Sequence, residues 1–201
     1  MRHLSKVVGF VAGMCLIVSA IAQADRTWWA SGELGAGDFK LHSDQVTGTR
    51  EPVFGLGFAG GHRLNDKARI GLHVKGWLVE AYDLNYPAQG ESVTNVMGVV
   101  DVFPLRAWER FFMRGGLGLS IYSVNRATAV GGKGLVWEGA VGYEIPLNEK
   151  FFLSPAVEYS EGRLGDVLNH VGPATNRRFS VIGFKMGASY HFGSRKGVWN
   201  R

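Results

Sequence analysis

Alternation of apolar and polar residues with a period of two is the feature of this sequence that most limits its fold. It is clearest near the end of the chain, where the apolar residues between Ile182 and Phe192 fall on one face and glycine, lysine, serine and histidine fall on the other. Successive side chains of a β-strand point to opposite sides, so this pattern predicts a strand with one apolar face. Eight segments show the pattern: 27–40, 51–64, 68–82, 93–105, 111–124, 134–146, 151–160 and 178–192.

The connections between these segments alternate in length. Short connections follow the second, fourth and sixth segments, at 65–67, 106–110 and 147–150. Longer ones follow the first, third, fifth and seventh, at about 41–50, 83–92, 125–133 and 161–177. Tight turns at one end and longer external loops at the other are typical of outer-membrane barrels. The sequence therefore predicts an all-β fold, an eight-stranded antiparallel up-and-down transmembrane β-barrel with both termini in the periplasm.

Alternation alone leaves open which face is outside, because a secreted ligand-binding barrel would turn its apolar face inward. The apolar face carries almost no charge, which favours contact with lipid. The other face combines many of the 29 glycines with equal numbers of acids and bases, which suits a narrow lumen filled by paired charges. We therefore predict a structural polar network in the lumen, made of Glu33, Arg63, Arg69, Lys75, Asp101, Arg114, Glu138, Glu144, Glu158 and Lys185.

The first 24 residues have the pattern of a secretory signal peptide. Arg2 and Lys6 form a basic start, residues 7–20 are apolar, and the small-x-small triplet 22–24 provides a cleavage site. This apolar run is too short for a transmembrane helix, and no run of about 18 apolar residues follows it. We therefore expect a signal peptide at 1–24, an outer-membrane β-barrel at 25–192 and a short periplasmic C-terminal tail at 193–201.

Cysteine and charge narrow the function classes further. The single cysteine, Cys15, lies in the predicted leader, so the mature chain would contain no disulfide. Loss of Arg2 and Lys6 with the leader lowers the net charge by two, from +5 to +3. Both signs of charge are well mixed along the chain, unlike the basic face of a nucleic-acid-binding protein. No nucleic-acid partner is therefore expected.

Two parts of the chain resemble a known family. The sequence 139–147 (GAVGYEIPL), followed by 152–159 (FLSPAVEY), is similar to the strand–turn–strand pattern of small outer-membrane barrels, and so is 114–118 (RGGLG). The OmpA barrel, OmpX and the opacity-type adhesins share this architecture. The resemblance implies insertion by the barrel-insertion machinery and a structural or surface-interaction role, adhesin-like or in envelope integrity, carried by external loops. Members of this family often end on an aromatic residue, whereas here residues 193–201 follow Phe192.

No cofactor or metal site is predicted. Residues 55–60 match the pattern GxGxxG, and Glu80 follows about 20 residues later, as in a dinucleotide site. The glycines lie inside an alternating strand, however, and not between a strand and a helix. The histidines expected in the mature chain form no pair at the i+2 or i+4 spacing of metal ligands; they are His42, His62, His73, His170 and His191.

Two other functions stay open beside the interaction role. A lipid A-modifying barrel enzyme of the deacylase or palmitoyltransferase type needs serine, histidine and an orienting acid within reach of one another. Ser189-Tyr190-His191 has the reverse of the order found in the deacylases and lies near the predicted periplasmic end, away from external lipid A. A narrow channel needs an open lumen, whereas eight strands leave a lumen that side chains fill. We therefore favour a plugged, non-enzymatic barrel.

The external loops offer surfaces for partners. The fourth predicted loop contains Arg163, Arg177 and Arg178. Arginine pairs well with phosphate groups, so we hypothesise that these three residues contact lipopolysaccharide in the outer membrane. The alternative is that they are ordinary solvated loop charges. An extracellular partner that binds the loops is also expected, although no loop motif identifies it.

Overall fold

The computed structural model describes residues 28–42, 47–79, 91–104, 110–124, 130–169 and 172–192. The predicted signal peptide, the predicted tail at 193–201, Cys15 and His170 lie outside the described residues, as do most of the predicted loops at 83–92 and 125–133. None of the described residues belongs to a helix long and apolar enough to cross a membrane.

The described chain forms a closed antiparallel β-barrel. Its strands are β1 (Trp28–His42), β2 (Thr47–Asn65), β3 (Ala68–Val79), β4 (Glu91–Val102), β5 (Phe111–Val124), β6 (Val130–Tyr143), β7 (Ile145–Pro146), β8 (Phe151–Asn169) and β9 (Gly172–His191). Consecutive strands pair from β1 to β6, β8 pairs with β6, β7 and β9, and β9 returns to β1. Because β6 and β7 form one barrel strand interrupted at Glu144, the barrel has eight strands, and the predicted fold is confirmed.

The last hairpin differs from the prediction. The sequence predicts a loop at 161–177, but β8 and β9 stay paired as far as Asn169 and Gly172, with register shifts around Gly165. The prediction of a long loop there is wrong. Alternation is imposed on a sequence only where one face of a strand meets an apolar environment, so this extension beyond the apolar band carries no such pattern.

The outward face of the barrel is apolar. Leu72, Leu117 and Leu135 expose 65%, 74% and 71% of their surface, and they belong to a continuous set of outward leucine, valine, isoleucine and phenylalanine side chains. Apolar exposure on this scale marks a surface that does not face water. The outward residues of β9 between Ile182 and Phe192 span roughly 33 Å along the strand, or roughly 25 Å once tilted, which is the height of a lipid-facing band.

Inward glycines make room for large inward side chains. A Cβ atom on Gly55 would lie 2.5 Å from the ring of Trp77, and one on Gly162 would lie 2.5 Å from the ring of Phe179. An eight-stranded barrel has an interior just wide enough to be filled by side chains, so a bulky residue on one strand requires a small one opposite. This requirement explains part of the high glycine content.

The two ends of the barrel differ in their connections. At one end, called the turn end, Asn65 Oδ1 accepts a hydrogen bond from the Lys67 amide (2.8 Å). Asn148 Oδ1 likewise accepts from the amides of Lys150 (2.8 Å) and Phe151 (2.9 Å). Such side-chain bonds to the following backbone are what make asparagine a turn residue. The opposite end, called the loop end, carries the connections that follow β1, β3, β5 and β8.

Candidate functional site

The lumen contains two layers of side chains. The ion layer lies toward the turn end, and the apolar plug lies toward the loop end. The described residues of the ion layer are Glu33, Arg69, His73, Lys75, Asp101, Arg114, Glu138, Glu144, Glu158 and Lys185, all of them buried. The described residues of the apolar plug are Phe39, Val53, Trp77, Val79, Val93, Met97, Val99, Tyr122, Val136, Leu164, Phe179 and Val181.

Asp101 is the centre of the first group of ion pairs. It lies between Arg69 and Arg114 because the three residues are direct neighbours across β3, β4 and β5. Arg69 Nε donates to Asp101 Oδ2 and Arg114 Nε donates to Asp101 Oδ1, each at 2.6 Å. The same arginines reach two further acids, since Arg69 Nη1 donates to Glu144 (2.6 Å) and Arg114 Nη1 donates to Glu33 (2.8 Å). Hydrogen bonds between ionised groups are the strong ones, so these contacts hold the group firmly in place.

Aromatic rings form the floor of the ion layer. The guanidinium carbon of Arg69 lies 4.5 Å from the centroid of the Trp29 ring, 5.1 Å from that of Phe103 and 5.8 Å from that of Phe112. Cations at these distances are attracted to the faces of aromatic rings. Arg69 is therefore held by two carboxylates and by this aromatic floor.

Lys185 is the centre of the second group. Its Nζ lies 2.9 Å from Glu33 Oε2, 3.1 Å from Glu158 Oε2 and 3.7 Å from Glu138 Oε1. Lys75 pairs with the other oxygen of Glu158. Its Nζ also lies 4.0 Å from the centroid of the Trp77 ring, which belongs to the apolar plug. Lys75 therefore joins the two layers.

His73 belongs to this network, although the network predicted from the sequence does not include it. The side chain is fully buried, with Nε2 3.4 Å from Glu33 Oε2 and Nδ1 3.3 Å from Glu138 Oε1. The layer contains five acids but four lysines and arginines, so an imidazolium at His73 would equalise the two counts. The signal was present in the sequence, because His73 shares its face of β3 with Arg69 and Lys75.

Arg63 is the one predicted member whose ion pair lies outside the network. Its Nη2 is 3.6 Å from Asp66 Oδ1, and its Nε donates to the carbonyl oxygen of Asn65 (3.2 Å). The structure therefore does not bring the Arg63 side chain into the network. Arg63 is the direct cross-strand partner of Arg69, but its side chain turns toward the connection between β2 and β3, and alternation identifies the face of a residue but not its partner.

The apolar plug draws its residues from the whole circumference of the barrel. Each of the eight barrel strands contributes at least one residue, and none of the twelve described side chains exposes more than 5% of its surface. Phe39 and Phe179 stack with ring centroids 5.8 Å apart and an interplanar angle of 11°. The sequence prediction describes the inward face as glycine and charge and misses this layer. The plug residues lie on the inward face of their strands, so continuing the alternation toward the loop end could have found them.

Ser189, His191 and Glu144 lie on the inward face at the turn end and carry the residue types of a hydrolase triad. His191 Nε2 lies 3.9 Å from Glu144 Oε1. Within the described residues, Ser189 Oγ has no hydrogen-bond partner, so the contact through which a histidine activates a serine is not formed. Glu144 also accepts from Arg69. All three side chains are buried, which separates them from any lipid outside the barrel.

Other candidate ligand sites carry less chemistry. Residues 55–60 lie inside β2 and not at the start of a helix. Within the described parts of the chain, no group of three or more His, Cys, Asp or Glu side chains is arranged so that it could hold a metal ion. A groove of about 640 Å³ on the outward face near the turn end is lined by residues that include Trp28, Phe58, Leu72 and Phe192. The described residues that line this groove include no Asp, Glu, Lys or Arg. The groove therefore suits a hydrocarbon chain and provides no charged group for catalysis.

The three arginines of the predicted phosphate site divide between two faces. Arg163 and Arg178 are direct partners across β8 and β9, and both are exposed. Arg177 lies opposite Gly165 and is only partly exposed. Neighbouring residues of a strand point in opposite directions, so Arg177 points away from the face that carries Arg178. The structure therefore brings two of the three residues together.

Comparisons with known proteins show the fold. No protein-family model matches the chain, and no curated protein sequence is similar to it. Neisserial surface protein A is 15% identical, with a TM-score of 0.54 over 82% of this chain and 97% of that one. Ail, the attachment invasion locus protein of Yersinia pestis, is 12% identical in its complex with the heparin analogue sucrose octasulfate, with a TM-score of 0.53 over 83% and 99% of the two chains. The chain thus has the fold of small eight-stranded outer-membrane barrels.

Proposed function

We propose that this chain is an outer-membrane barrel with a plugged lumen that has a structural or surface-interaction role, adhesin-like or in envelope integrity, through the surface at its loop end. One observation carries the proposal: all eight barrel strands contribute to the apolar plug, and a buried ion layer fills the lumen beneath it. A barrel filled in this way offers its outer wall and its loop end to other molecules and offers its interior to none.

The outer wall supports placement in a membrane. The exposed apolar band has the height of a bilayer core, and aromatic side chains gather at the turn end of the wall. Phe151 contacts Tyr190 with ring centroids 4.8 Å apart, and Tyr190 contacts Phe192 at the same distance. Aromatic girdles of this kind lie at the interfaces of outer-membrane barrels. The fold shared with outer-membrane barrels supports the same location.

The orientation that fits this role places the turn end in the periplasm. Short turns face the periplasm and longer loops face outward in bacterial barrels of this type. Both termini of the mature chain would then be periplasmic, and β8 and β9 would project outward beyond the apolar band. The barrel-insertion machinery would deliver the chain to this position.

Solute flux through reconstituted barrels tests the closed lumen. We expect liposomes that contain the purified protein to swell in small sugars no faster than liposomes without protein, because the plug leaves no wide aqueous path. A known porin reconstituted at the same density provides the positive control. Rapid swelling with this protein would contradict the closed lumen and favour the channel.

A lipid-modifying enzyme is the runner-up, because Ser189, His191 and Glu144 share one end of the lumen. The absence of a hydrogen bond from Ser189 Oγ within the described residues supports a non-catalytic role. Their burial inside the wall supports it as well, since the acyl chains of a lipid would lie outside. Altered lipid A in a deletion strain, restored by the wild-type chain but not by Ser189→Ala, would favour the enzyme instead.

A further inference from the structure

Five basic residues lie on the outward face near the loop end. They are Lys40, Arg50, Lys133, Arg163 and Arg178, and together they are called the cation row. Each shares the outward face of its strand with exposed apolar residues closer to the turn end; Arg178, for example, lies on the same face as Ile182 and Phe184. The cation row therefore continues the lipid-facing wall and is not part of the lumen.

The cation row runs across five neighbouring barrel strands. Arg163 pairs with Arg178 between β8 and β9, and Lys40 pairs with Arg50 between β1 and β2. Between these two pairs, β9 and β1 are joined in register, with Ser180 opposite Lys40. Lys133 extends the row to β6, the strand that pairs with the other side of β8. The row thus covers one continuous side of the barrel.

The five residues lie at a similar distance along the strands from the turn end. Each is 12 residues along its barrel strand from a residue at the turn end, as Lys40 is from Trp28, Arg163 from Phe151, and Arg178 from Tyr190. Twelve residues extend roughly 40 Å along a strand, or roughly 30 Å along the barrel axis after the usual tilt. The hydrocarbon core of a bilayer is about 30 Å thick. With the turn-end aromatics at one interface, the cation row lies at the headgroups of the opposite leaflet.

The charge of the row is only partly balanced by described protein carboxylates. Asp38 lies 4.0 Å from Arg50, at the limit of an ion pair, and Glu161 accepts a hydrogen bond from the Tyr159 hydroxyl. Two acids beside five bases leave three positive charges. Like charges directly opposite each other on a sheet, as at Arg163 and Arg178, are unfavourable unless an anion lies between them.

The opposite side of the barrel provides an internal comparison. Near the loop end of β3, β4 and β5, the described outward side chains are uncharged; they include Leu78, Thr94, Ile121 and Ser123. A charge distribution required only for general solubility would surround the barrel. Among the described residues, the outward bases near the loop end lie on β6, β8, β9, β1 and β2, which form one continuous side, and this arrangement favours a surface for one anionic partner.

We propose that the cation row is a docking surface for the phosphorylated headgroup of an outer-leaflet glycolipid of the lipopolysaccharide type. The paired guanidinium groups of Arg163 and Arg178 bind phosphate oxygens, and Lys40, Arg50 and Lys133 extend the contact to neighbouring headgroups. The acyl chains lie along the apolar wall below. This inference rests on the proposed function, in which the loop end faces the outer leaflet, and it replaces Arg177 in the sequence-based hypothesis with three residues from other strands.

Binding of purified lipid A to the detergent-solubilised barrel tests the docking surface. We expect Arg163→Gln/Arg178→Gln to weaken binding about tenfold or more, because one or two charge-assisted hydrogen bonds are lost. The matched control is Lys67→Gln/Lys150→Gln, which removes the same charge from exposed positions at the turn end and should leave binding unchanged. Wild-type protein should bind dephosphorylated lipid A about as weakly as the arginine variant binds the phosphorylated form. Free inorganic phosphate at the same concentration should not compete.

The outcomes separate the two proposals. Equal binding by the arginine variant and the wild type, or equal binding of phosphorylated and dephosphorylated lipid A, would overturn the docking surface. Gel mobility before and after heating shows that each variant is folded. Protease added to intact cells reports the orientation independently: cleavage at the loop end supports the proposed function, and cleavage confined to the turn end would overturn it whatever the result with lipid A.

Discussion

In the half of the lumen nearer the turns, the described filling is dominated by the ten side chains of the ion layer, whereas in the half nearer the loops it is mainly apolar. Both layers are buried to a similar degree and both use small residues opposite large ones. They differ in what holds them together. The ion layer depends on specific partners, because one missing charge leaves another buried and unpaired. The apolar plug depends on filled volume, which several combinations of side chains can provide.

Removing the shared acid of the ion layer should have the largest effect. We expect Asp101→Asn to lower the free energy of unfolding by about 3–5 kcal/mol, because Arg69 and Arg114 lose the carboxylate between them. Urea unfolding of the barrel in detergent micelles measures this. Asp66→Asn is the control, since Asp66 pairs with Arg63 in an exposed turn and should change stability by about 1 kcal/mol or less. Similar values for the two variants would mean that the ion layer does not depend on its partners.

Filling space in the apolar plug should have an intermediate effect. Gly55→Ala places a Cβ about 2.5 Å from the Trp77 ring and should cost about 1–3 kcal/mol of stability through overpacking. In a Trp77→Ala background the same change should cost much less, and a double-mutant cycle measures the difference. At Gly115 the added Cβ meets no atom within 4 Å, so Gly115→Ala is the control. An equal cost in both backgrounds would rule out the ring as the cause.

A conservative change in the apolar plug should have the smallest effect. We expect Phe179→Leu to cost less than about 1.5 kcal/mol, because leucine keeps most of the volume although the stacking on Phe39 is lost. Liposomes that contain this variant should remain as resistant to swelling as those with the wild type. Phe179→Ala is the comparison, and it should cost about 3–5 kcal/mol. If Phe179→Leu were as damaging as Asp101→Asn, the plug would require specific partners too.

The sequence predicted most of the barrel because lipid imposes a pattern on it. The strand predicted at 111–124 coincides with β5, and at the short connections predicted at 65–67 and 147–150 the structure has turns in which asparagine side chains bond the following backbone. The paired extension of β8 and β9 was missed because strands outside the apolar band need no alternation. Such a hairpin is held by backbone pairing alone. Backbone pairing does not require apolar and polar side chains to alternate in the sequence.

The site was less predictable than the fold. Alternation identified the inward face of Arg69, Asp101 and Arg114, but their contacts depend on the register between strands, which the sequence pattern does not supply. The predicted network includes Arg63 and omits His73 for the same reason, since the carboxylate that a side chain reaches cannot be identified from one strand. The apolar plug was not predicted because the sequence analysis treats the outward face as apolar and the inward face as glycine and charge. The plug residues are both inward and apolar, so they do not fit that division.

The spacing of the ion pairs along the chain has a consequence for how the barrel is made. Arg69 and Glu144 are 75 residues apart, Arg114 and Glu33 are 81 apart, and Lys75 and Glu158 are 83 apart. Such contacts form late, since a long segment must be ordered before they are made. Lys185 lies on β9, the last strand to be synthesised, and its contact with Glu33 forms when that strand meets β1. An incomplete barrel would therefore carry unpaired charges inside the membrane, and only closure with all eight strands removes them.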